Sequence, residues 1–529
     1  MASPRADSGP LLTRRELAAL LTIGFGVSLV IMDATIVNVA LPVVIDDLDL
    51  TATEAQWMNA VYALVFAALL ITVGRIGDLK GRRLLFGIGL VIFMVASIFA
   101  GLSVNGKMLI AARLVQGIGA AMVMPTTLSS LNALFVGRAR TVAFAVYGSA
   151  IGGMAAIGPL LGGWFATDFS WRWAFWINIP VGLLVLFGII KALPETRDPS
   201  ARPSGDVLGI VLTMVGMGAT VFALIESRNY GWWRRDDGDI SPVPIVLTIG
   251  VLSLAYFVWH ERRRTAHGKA ALVDLKLFLI PTFSAGMLAA LIVALGEFGL
   301  LFTLPLLLQG ALGYTALQTG WVILALAMGT FLVSSVLPRL EKHLSQRTVV
   351  QIGLALEATA VGALAIVMSR NVPWWQLVGC LFVYGVGVGM ATAQLTSLLL
   401  KDVPIDESGQ ASGLQSSGRQ LGSALGVAVL GGLLIANLGR ATEANLKALS
   451  LPPETVTKIS DAVSNSAGAA IPELQGRTGS TAIVDAASDA MVHASQLTTG
   501  FAAAALFIGL LATFRLPKTS NADQEEPPA

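Results

Sequence analysis

Long apolar stretches follow one another along almost the whole chain and are separated by short polar segments. A helix needs about 20 apolar residues to cross the hydrocarbon core of a bilayer, and fourteen stretches reach that length. Their approximate limits are 17–43, 56–76, 84–104, 107–133, 140–165, 173–192, 205–226, 242–260, 282–308, 318–338, 347–369, 374–400, 409–438 and 497–515. The pattern predicts an all-α polytopic membrane protein with fourteen transmembrane helices.

The basic residues of the short loops predict the orientation, because loops on the cytoplasmic side are enriched in Lys and Arg. With the N-terminus inside, the inner loops carry Lys80, Arg82, Arg83, Arg138, Arg140, Lys191, Arg197, Arg202, Arg262, Arg263, Arg264, Lys269, Lys276, Arg339, Lys342 and Arg347. The first outer loop holds only acidic charges, and the loop at 309–319 has none. We therefore expect a multi-pass protein of the cell membrane with both termini in the cytoplasm.

The composition argues against several function classes. Of the 529 residues, 55% are hydrophobic and only 13% are charged, whereas soluble domains average about 25% charged residues. Cys380 is the single cysteine, and the four histidines are scattered without metal-ligand spacing. No catalytic constellation is visible. We expect no enzymatic activity, no metal or other cofactor, and no nucleic-acid partner.

Asp33 lies in the middle of the first apolar stretch, within the segment DATIVNVALP at 33–42. An ionisable side chain at that depth costs on the order of 3 kcal/mol unless it has a partner. A carboxyl group in a site of low dielectric can exchange protons near neutral pH. Asp33 therefore predicts a proton or cation site in a membrane transporter. The alternative is a structural carboxylate that is hydrogen-bonded to a neighbouring helix.

Three further segments contain polar or small residues in unusual positions, namely GRIGDLKGRR at 74–83, IAARLVQGIG at 110–119 and GSAIGGMAAIGPLLGG at 148–163. Gly81 permits a tight turn, and Asp78 can cap a helix N-terminus. The alternative for the basic residues of the 74–83 loop is that they only anchor the loop on the cytoplasmic side, in accordance with the positive-inside rule. The small residues of the last segment allow close helix approach, and Pro159 bends the helix.

Arg113 lies in the outer half of span four, at roughly the depth of Asp33. An arginine close to Asp33 would let substrate arrival or a helix shift change proton binding. Direct contact and coupling through Gln116 or water are both open at this point. The alternative for Arg113 is hydrogen bonding to backbone carbonyl groups.

These four segments, in this order, resemble the major facilitator superfamily, and within it the fourteen-helix drug:proton antiporter family of the multidrug resistance protein B and quaternary-ammonium-resistance type. The segments WRWAFWINIP at 171–180 and RQLG at 419–422 also fit that branch. Lys80 stands where the family often has arginine. The resemblance implies a cytoplasmic N-terminal tail (1–16), an N-terminal six-helix bundle (17–192), two linker helices with flanking loops (193–276), a C-terminal six-helix bundle (277–515) and a cytoplasmic tail (516–529).

The resemblance also implies a function. It indicates a proton-coupled efflux transporter, an antiporter that exports drugs or lipophilic, cationic small molecules across the cytoplasmic membrane by alternating access. Protons are the coupling ion, and the expected partners are a small-molecule substrate and the lipid bilayer, with the chain as a monomer. Two alternatives are a dedicated exporter of a single metabolite, lipid or antibiotic, and a non-transporting membrane sensor.

Two more acids lie near mid-span, Glu297 on span nine and Glu357 on span eleven. By analogy with the fold, span nine lines the central cavity and span eleven is peripheral, so Glu297 ranks above Glu357 as a second proton or cation site. Phe298 and Phe302 follow Glu297 and would let an acid and two rings attract a lipophilic cation. The alternative is an acid that is satisfied by a neighbouring helix.

The candidate residues fall into three groups. Proton coupling is assigned to Asp33, Arg113 and Glu297. Substrate binding is assigned to Asn38, Trp57, Asn59, Tyr62, Phe298, Phe302 and Gln394. Conformational gating is assigned to Gly74, Asp78, Gly81, Arg82, Arg83, Gly158, Pro159 and Arg419.

The segment 439–496 is polar and rich in Ala and Ser. We expect a long, partly ordered loop on the outer side, in which 453–467 and 481–496 have the pattern of short amphipathic helices. The alternative is an outer cap that influences access to the transport site.

Overall fold

The structure is a computed structural model that describes residues 12–135, 137–197, 206–234, 239–269, 271–340, 344–404 and 408–514. Apart from one isolated bridge between Arg234 and Ile240, these residues form helices and their connections. A short 3-10 helix covers Leu275–Leu279. The α-helices are α1 (Arg14–Asp47), α2 (Ala52–Lys80), α3 (Arg82–Gly101), α4 (Gly106–Leu134), α5 (Gly137–Asp168), α6 (Trp173–Trp176), α7 (Asn178–Lys191), α8 (Val207–Tyr230), α9 (Val243–Ala266), α10 (Pro281–Gly310), α11 (Ala316–Leu340), α12 (Gln346–Val367), α13 (Trp374–Leu400), α14 (Ser408–Ala448), α15 (Pro453–Asn465), α16 (Leu474–Thr478) and α17 (Thr481–Thr513).

Each of the fourteen predicted spans coincides with a long helix or, for the sixth, with α6 and α7 together. Within the described residues, thirteen helical stretches are long and apolar enough to cross a membrane. Helix α5, with 32 residues, is a further long helix. The all-α fold class is confirmed, and the predicted number of spans agrees with the helices that are seen.

The long helices form two bundles, α1 to α7 and α10 to α14 with α17. Helices α8 and α9 pack on each other, and α8 also contacts α2 of the first bundle and α14 of the second. In the most apolar 18-residue stretch of α9, only 11% of the residues are buried within the protein. That helix therefore presents most of its apolar side chains outward, where lipid would cover them.

The two bundles share an apolar core at the end remote from the chain termini. One buried cluster includes Leu41 near the end of α1 and Ala55 near the start of α2, together with Leu306 near the end of α10 and Leu434 of α14. These side chains come from both halves of the chain, so burial of their apolar surface holds the halves together at that end.

The expectation of a loop over 439–496 was wrong in its extent. Helix α14 continues to Ala448, and the last long helix begins at Thr481, so 481–496 is its first part and not a separate short helix. In this part of α17 the buried residues recur at helical spacing, as in Ile483, Ala487 and Met491. Hydropathy averaged over both faces misses such a half-buried helix. The amphipathic helix predicted at 453–467 is confirmed as α15.

The turn between α2 and α3 depends on Gly81 and on an acid from the end of the first bundle. Gly81 has φ +124°, a conformation that favours glycine. The carboxylate of Glu195 accepts the backbone N–H groups of Arg83 at 3.0 Å and Leu84 at 3.3 Å. Because Gly81, the N-cap residue of α3, has no side chain that could cap the helix, Glu195 supplies an acceptor for its first turn.

We expect Gly81→Ala to destabilise the protein by about 1–3 kcal/mol. Alanine at this position would have a disfavoured φ, and its Cβ would lie 2.7 Å from the carboxylate of Glu195. The measurement is the thermal unfolding midpoint in detergent. The double variant Gly81→Ala, Glu195→Ala removes the collision but not the backbone strain. Its loss of stability should therefore be smaller than the sum of the losses in the two single variants.

Gly379→Ala is the matched control for this prediction. A Cβ on Gly379 of α13 meets no atom within 4 Å, and alanine is the better helix former. The control should be as stable as the unmodified chain or slightly more so. If Gly81→Ala behaves like Gly379→Ala, the proposed constraint on the turn is wrong.

Candidate functional site

Asp33 forms a buried ion pair with Arg113. Arg113 Nη1 lies 2.5 Å from Asp33 Oδ2, and the two side chains are 1% and 0% exposed. The other carboxylate oxygen, Oδ1, accepts hydrogen bonds from Gln116 Nε2 and Asn178 Nδ2, each at 2.8 Å. Three donors thus converge on one carboxylate, an arrangement that stabilises a charge in the protein interior.

The network extends to two further groups. Ser97 of α3 accepts a hydrogen bond from Gln116 at 2.8 Å and another from Asn178 at 3.2 Å. Arg113 also donates from Nε to the backbone carbonyl of Met58 at 3.3 Å. The two readings that the sequence left open for Arg113, pairing with Asp33 and bonding to a carbonyl, therefore both hold.

Sequence reasoning found part of this network. It placed Asp33 and Arg113 at similar depths and named Gln116 as a possible link. It gave no role to Ser97 or Asn178. Asn178 lies in a motif segment and could have been noticed as an amide within an apolar stretch, whereas a serine in a transmembrane helix carries no comparable signal.

A cavity of about 650 Å³ lies between the two bundles. Its lining includes Asn132 near the end of α4, Arg140 near the start of α5, Leu400 at the end of α13 and Ser412 near the start of α14. These helix ends lie on the side of the molecule that carries the described chain ends, so the cavity extends to that side.

Two described hydrogen bonds between the halves lie near the opposite end, and a further one joins Ser417 of α14 to the carbonyl of Ala67 in the middle of α2 at 3.0 Å. Gln309 Nε2 of α10 donates to the carbonyl of Val39 in α1 at 2.9 Å, and the N–H of Leu317 in α11 donates to Thr167 Oγ1 at 3.0 Å. Together with the shared apolar cluster, these contacts close the cavity on the side remote from the termini. The structure is therefore open on one side only.

Four of the seven residues predicted to bind substrate line this cavity, namely Asn38, Asn59, Tyr62 and Phe298. The ring of Tyr62 also lies 4.3 Å from the guanidinium carbon of Arg113, within the range of cation–π attraction. Arg113 itself lines the cavity. The cavity wall and the buried ion pair are thus connected through a single side chain.

The other three, Trp57, Phe302 and Gln394, lie outside the described cavity wall. Trp57 stands two positions from Asn59 and so faces away from the cavity; its indole N–H donates to Glu226 of α8 at 2.8 Å. Phe302 is fully buried where α10 packs against α14. Gln394 is a buried residue of α13.

Glu297 of α10 and Arg419 of α14 form an ion pair in the part of the cavity wall that the second bundle contributes. Arg419 Nη2 lies 3.4 Å from Glu297 Oε2, and both residues line the cavity. The side chain of Arg419 is 38% exposed and that of Glu297 is 12% exposed. This pair is therefore accessible from the cavity, in contrast to the buried pair of the first half.

The basic residues of the 74–83 loop are tied to their own bundle. Arg82 Nη1 donates to the carbonyl of Ser129 at 3.2 Å, and Arg83 Nη2 donates to the carbonyl of Ile190 at 3.0 Å. These contacts, like those of Glu195, lie within the first half. The side chain of Asp78 is outside the described part of the chain.

The glycines assigned to gating lie at close helix contacts. A Cβ on Gly74 of α2 would lie 3.4 Å from the Cβ of Pro125 in α4, and one on Gly158 of α5 would overlap Thr35 of α1. Pro159 belongs to the cavity wall. Its carbonyl oxygen lies 2.6 Å from where a Cβ on Gly320 of α11 would stand. Gly158 thus packs against α1 within the first half, and Pro159 stands where the first half meets the second.

The comparisons with known proteins agree with this architecture. A probable actinorhodin transporter of Streptomyces coelicolor is 33% identical over 455 residues, which cover 83% of this chain and 76% of that protein. Multidrug resistance protein Stp of Mycobacterium tuberculosis is 31% identical over 439 residues, which cover 82% of this chain and 79% of that protein. Both are therefore similar over most of their length.

The fold is also seen in solved structures. The crystal structure of a bacterial homolog to the human lysosomal transporter Spinster, in an inward-facing and occupied conformation, superposes with a TM-score of 0.64 at 16% identity and covers 95% of this chain and 97% of that one. At that identity the likeness concerns the fold alone. The family model described as Major Facilitator Superfamily matches residues 23–427, and the chain belongs to that superfamily.

Proposed function

We propose that this protein is a proton-coupled antiporter that exports drugs or other lipophilic small molecules across the cell membrane by alternating access. The observation that carries the proposal is the Asp33–Arg113 pair, fully buried and connected through Arg113 to a cavity that is open on one side only. A titratable group linked to the wall of such a cavity is what exchange of protons for substrate requires. The likeness to a multidrug resistance protein and a probable antibiotic transporter supports the substrate class.

The coupling step follows from the geometry of the pair. Arg113 holds the carboxylate of Asp33 on one side and lies against the ring of Tyr62 on the other. A substrate that displaces Arg113 would weaken its attraction to Asp33 and so change the proton affinity of that carboxylate. By linkage, proton binding to Asp33 changes substrate affinity by the same factor. Protons are thus the coupling ion, and no further cofactor is needed.

The other half of the cavity wall supports recognition of cations. Glu297 is accessible and is paired with Arg419 at 3.4 Å, a long ion pair that a cationic substrate can replace. Phe298 adds an aromatic ring beside the acid. Asn59 Nδ2 and Tyr62 Oη are buried and have no hydrogen-bond partner among the described residues; a rotation of either side chain toward the cavity would present a polar atom to the substrate.

Orientation and assembly belong to the same proposal. The basic residues Lys80, Arg82, Arg83 and Arg347 lie at the end toward which the cavity opens, and the positive-inside rule assigns that end to the cytoplasm. Both termini are then cytoplasmic, and the conformation is inward-open. A monomer suffices, because one chain supplies both halves of the cavity.

A second candidate is a dedicated exporter of one metabolite or antibiotic. The 33% identity to a probable actinorhodin transporter favours it. The two candidates differ in breadth. Transport of several unrelated lipophilic cations supports the multidrug reading, whereas transport of one compound class from a panel that includes aromatic acids supports the dedicated exporter.

Asp33→Asn should reduce gradient-driven transport at least about tenfold, the effect of 1.4 kcal/mol. Asparagine fills the same space but cannot carry a proton. The protein is reconstituted in liposomes, and movement of the lipophilic cation ethidium is followed under an imposed pH gradient. Exchange of ethidium without a gradient should continue, because it needs the cavity and not the proton.

Asp485→Asn is the matched control, since Asp485 pairs with Arg370 at the outer end and is far from the cavity wall. It should transport normally. Gradient-driven transport that survives in Asp33→Asn would contradict the coupling role. If the unmodified protein moves neither ethidium nor the panel under any gradient, the transporter proposal fails and a sensor remains.

Glu297→Gln should lower transport of ethidium about tenfold while leaving a neutral dye of similar size nearly unchanged. The variant removes the accessible negative charge but keeps the shape of the side chain. Initial rates for the two dyes in the same liposome preparation give the comparison. An equal loss for both dyes would mean that Glu297 acts in coupling or structure and not in selecting cations.

Gly320→Ala should shift the protein toward the outward-open conformation. Its Cβ would stand 2.6 Å from the carbonyl oxygen of Pro159 and 3.3 Å from Leu160 Cα, and backbone atoms cannot move aside. Distances between spin labels on the outer ends of α5 and α11 measure the shift. Gly153→Ala on α5, whose Cβ meets nothing within 4 Å, should leave the distance distribution unchanged, and an unchanged distribution in Gly320→Ala would contradict the prediction.

A further inference from the structure

Glu357 is an acid in the interior of the second bundle. It lies on α12 and is 0% exposed. Neither of its carboxylate oxygens has a hydrogen-bond partner among the described residues. The residue sits where α12 crosses α13, because a Cβ added to Gly387 of α13 would lie 2.8 Å from Glu357 Cγ. The helices approach closely here, and both carboxyl oxygens are buried.

Among the residues that the structure describes, no counter-charge is in contact with Glu357. Helix α13 contributes Tyr384, which is 1% exposed and whose hydroxyl is likewise without a partner. Helix α17, which packs on the other side of α12, has no titratable side chain between 494 and 513. Glu297 of α10 and Arg419 of α14 lie within electrostatic range of Glu357, but they pair with each other.

These observations decide between the two charge states of the carboxyl group. An ionised carboxylate in a buried site needs a partner charge or several donors, because the loss of hydration is otherwise uncompensated. Asp33 has three donors in contact, whereas Glu357 has none. A neutral carboxylic acid loses far less hydration energy on burial and so tolerates a site without partners better.

We propose that Glu357 is a second proton-binding site, which holds a proton in this inward-open conformation and releases it in another conformation of the transport cycle. This inference rests on the proposed proton-coupled transport. On release, the O–H bond of the carboxyl group breaks and the proton passes to water or to the carboxylate of Glu297. No oxidant, reductant or other reactant takes part.

The link to the cavity is the Glu297–Arg419 pair. Both residues line the cavity and act electrostatically on Glu357. When a cationic substrate takes the place of Arg419 beside Glu297, the positive charge of Arg419 is no longer neutralised there. A cation that is free to act on Glu357 favours loss of its proton. The second half would thus exchange a proton for a cation at two linked acids.

The first test measures the protonation state directly. Infrared spectra of the purified protein at neutral pH are compared with those of Glu357→Gln, which keeps the size of the side chain. We expect the difference spectrum to contain the C=O band of a protonated carboxyl group. Glu443→Gln, which removes an exposed acid paired with Lys447, should remove only carboxylate bands. Loss of carboxylate bands alone in Glu357→Gln would overturn the inference.

The second test measures the proton count. In liposomes, the substrate gradient that just balances an imposed proton gradient gives the number of protons exchanged per ethidium ion. We expect Glu357→Gln to exchange one proton fewer than the unmodified protein and Glu357→Asp to restore the number. An unchanged count, with unchanged pH dependence, would overturn the role of Glu357 in transport even if it is protonated.

The two tests separate this inference from the proposed function. If the unmodified protein moves ethidium without protons, proton coupling fails as a whole, together with the role of Glu357 in it. If Asp33→Asn loses coupling while Glu357→Gln keeps the full proton count, only the second site is refuted. The thermal unfolding midpoint of Glu357→Gln should equal or exceed that of the unmodified protein, because a buried group that lacks partners adds little stability.

Discussion

The buried ion pair of Asp33 and Arg113 is the constraint on which the first half depends. Removing two charges from water costs several kcal/mol for each ion, and only good geometry with additional hydrogen bonds offsets that cost. Here the donors come from Gln116 and Asn178, with Ser97 behind them. Four helices, α1, α3, α4 and α7, must therefore keep their positions for the pair to remain satisfied. The network therefore favours a fixed arrangement of these four helices.

The contacts between the two halves are of a different kind from the polar network inside the first half. Where α5 meets α11, Gly163 and Gly320 let the backbones touch without intervening side chains. Such contacts are stabilised by many weak dispersion interactions and few hydrogen bonds. Separating α5 from α11 breaks one described hydrogen bond, from the N–H of Leu317 to Thr167 Oγ1, so the polar cost of opening this contact is small. Alternating access needs surfaces of this kind, since a rocking motion must open one side at little cost while the interiors of the halves stay intact.

The sequence predicted features that depend on period and depth. Apolar length located the spans, and counting along oppositely directed helices put Asp33 and Arg113 near each other. It assigned Trp57 to the substrate site, whereas the structure turns this side chain toward Glu226 of α8. A residue two positions from a cavity residue faces the other way, and the rotation of a buried helix is not visible when both faces are apolar. Glu195 was missed for another reason: an exposed acid after a helix has no distinguishing pattern until the fold brings it to the start of α3.

The outer end of α17 shows a second limit of prediction from sequence, one that comes from averaging hydropathy. Residues 481–496 are polar enough to look like a loop, yet one face is apolar and buried and the other carries Asp485 and Asp489 beside Arg370. Mean hydropathy reports the average of the two faces. Only the helical period, carried through from the apolar stretch that follows, predicts that the helix continues outward.

The buried acids of the two halves have opposite surroundings, although each half is a bundle of six membrane-spanning segments. Asp33 is surrounded by donors, Glu357 has none, and the Glu297–Arg419 pair is accessible from the cavity between them. Helices α3 and α12 hold the same place in the order of their bundles; the first contributes a serine to a charged network and the second contributes an unpaired acid. In the proposed cycle, Asp33 responds to the occupant of the cavity through Arg113, whereas Glu357 responds through the Glu297–Arg419 pair. Under that proposal, the departure from symmetry gives the two halves different ways of linking a proton to the occupant of the cavity.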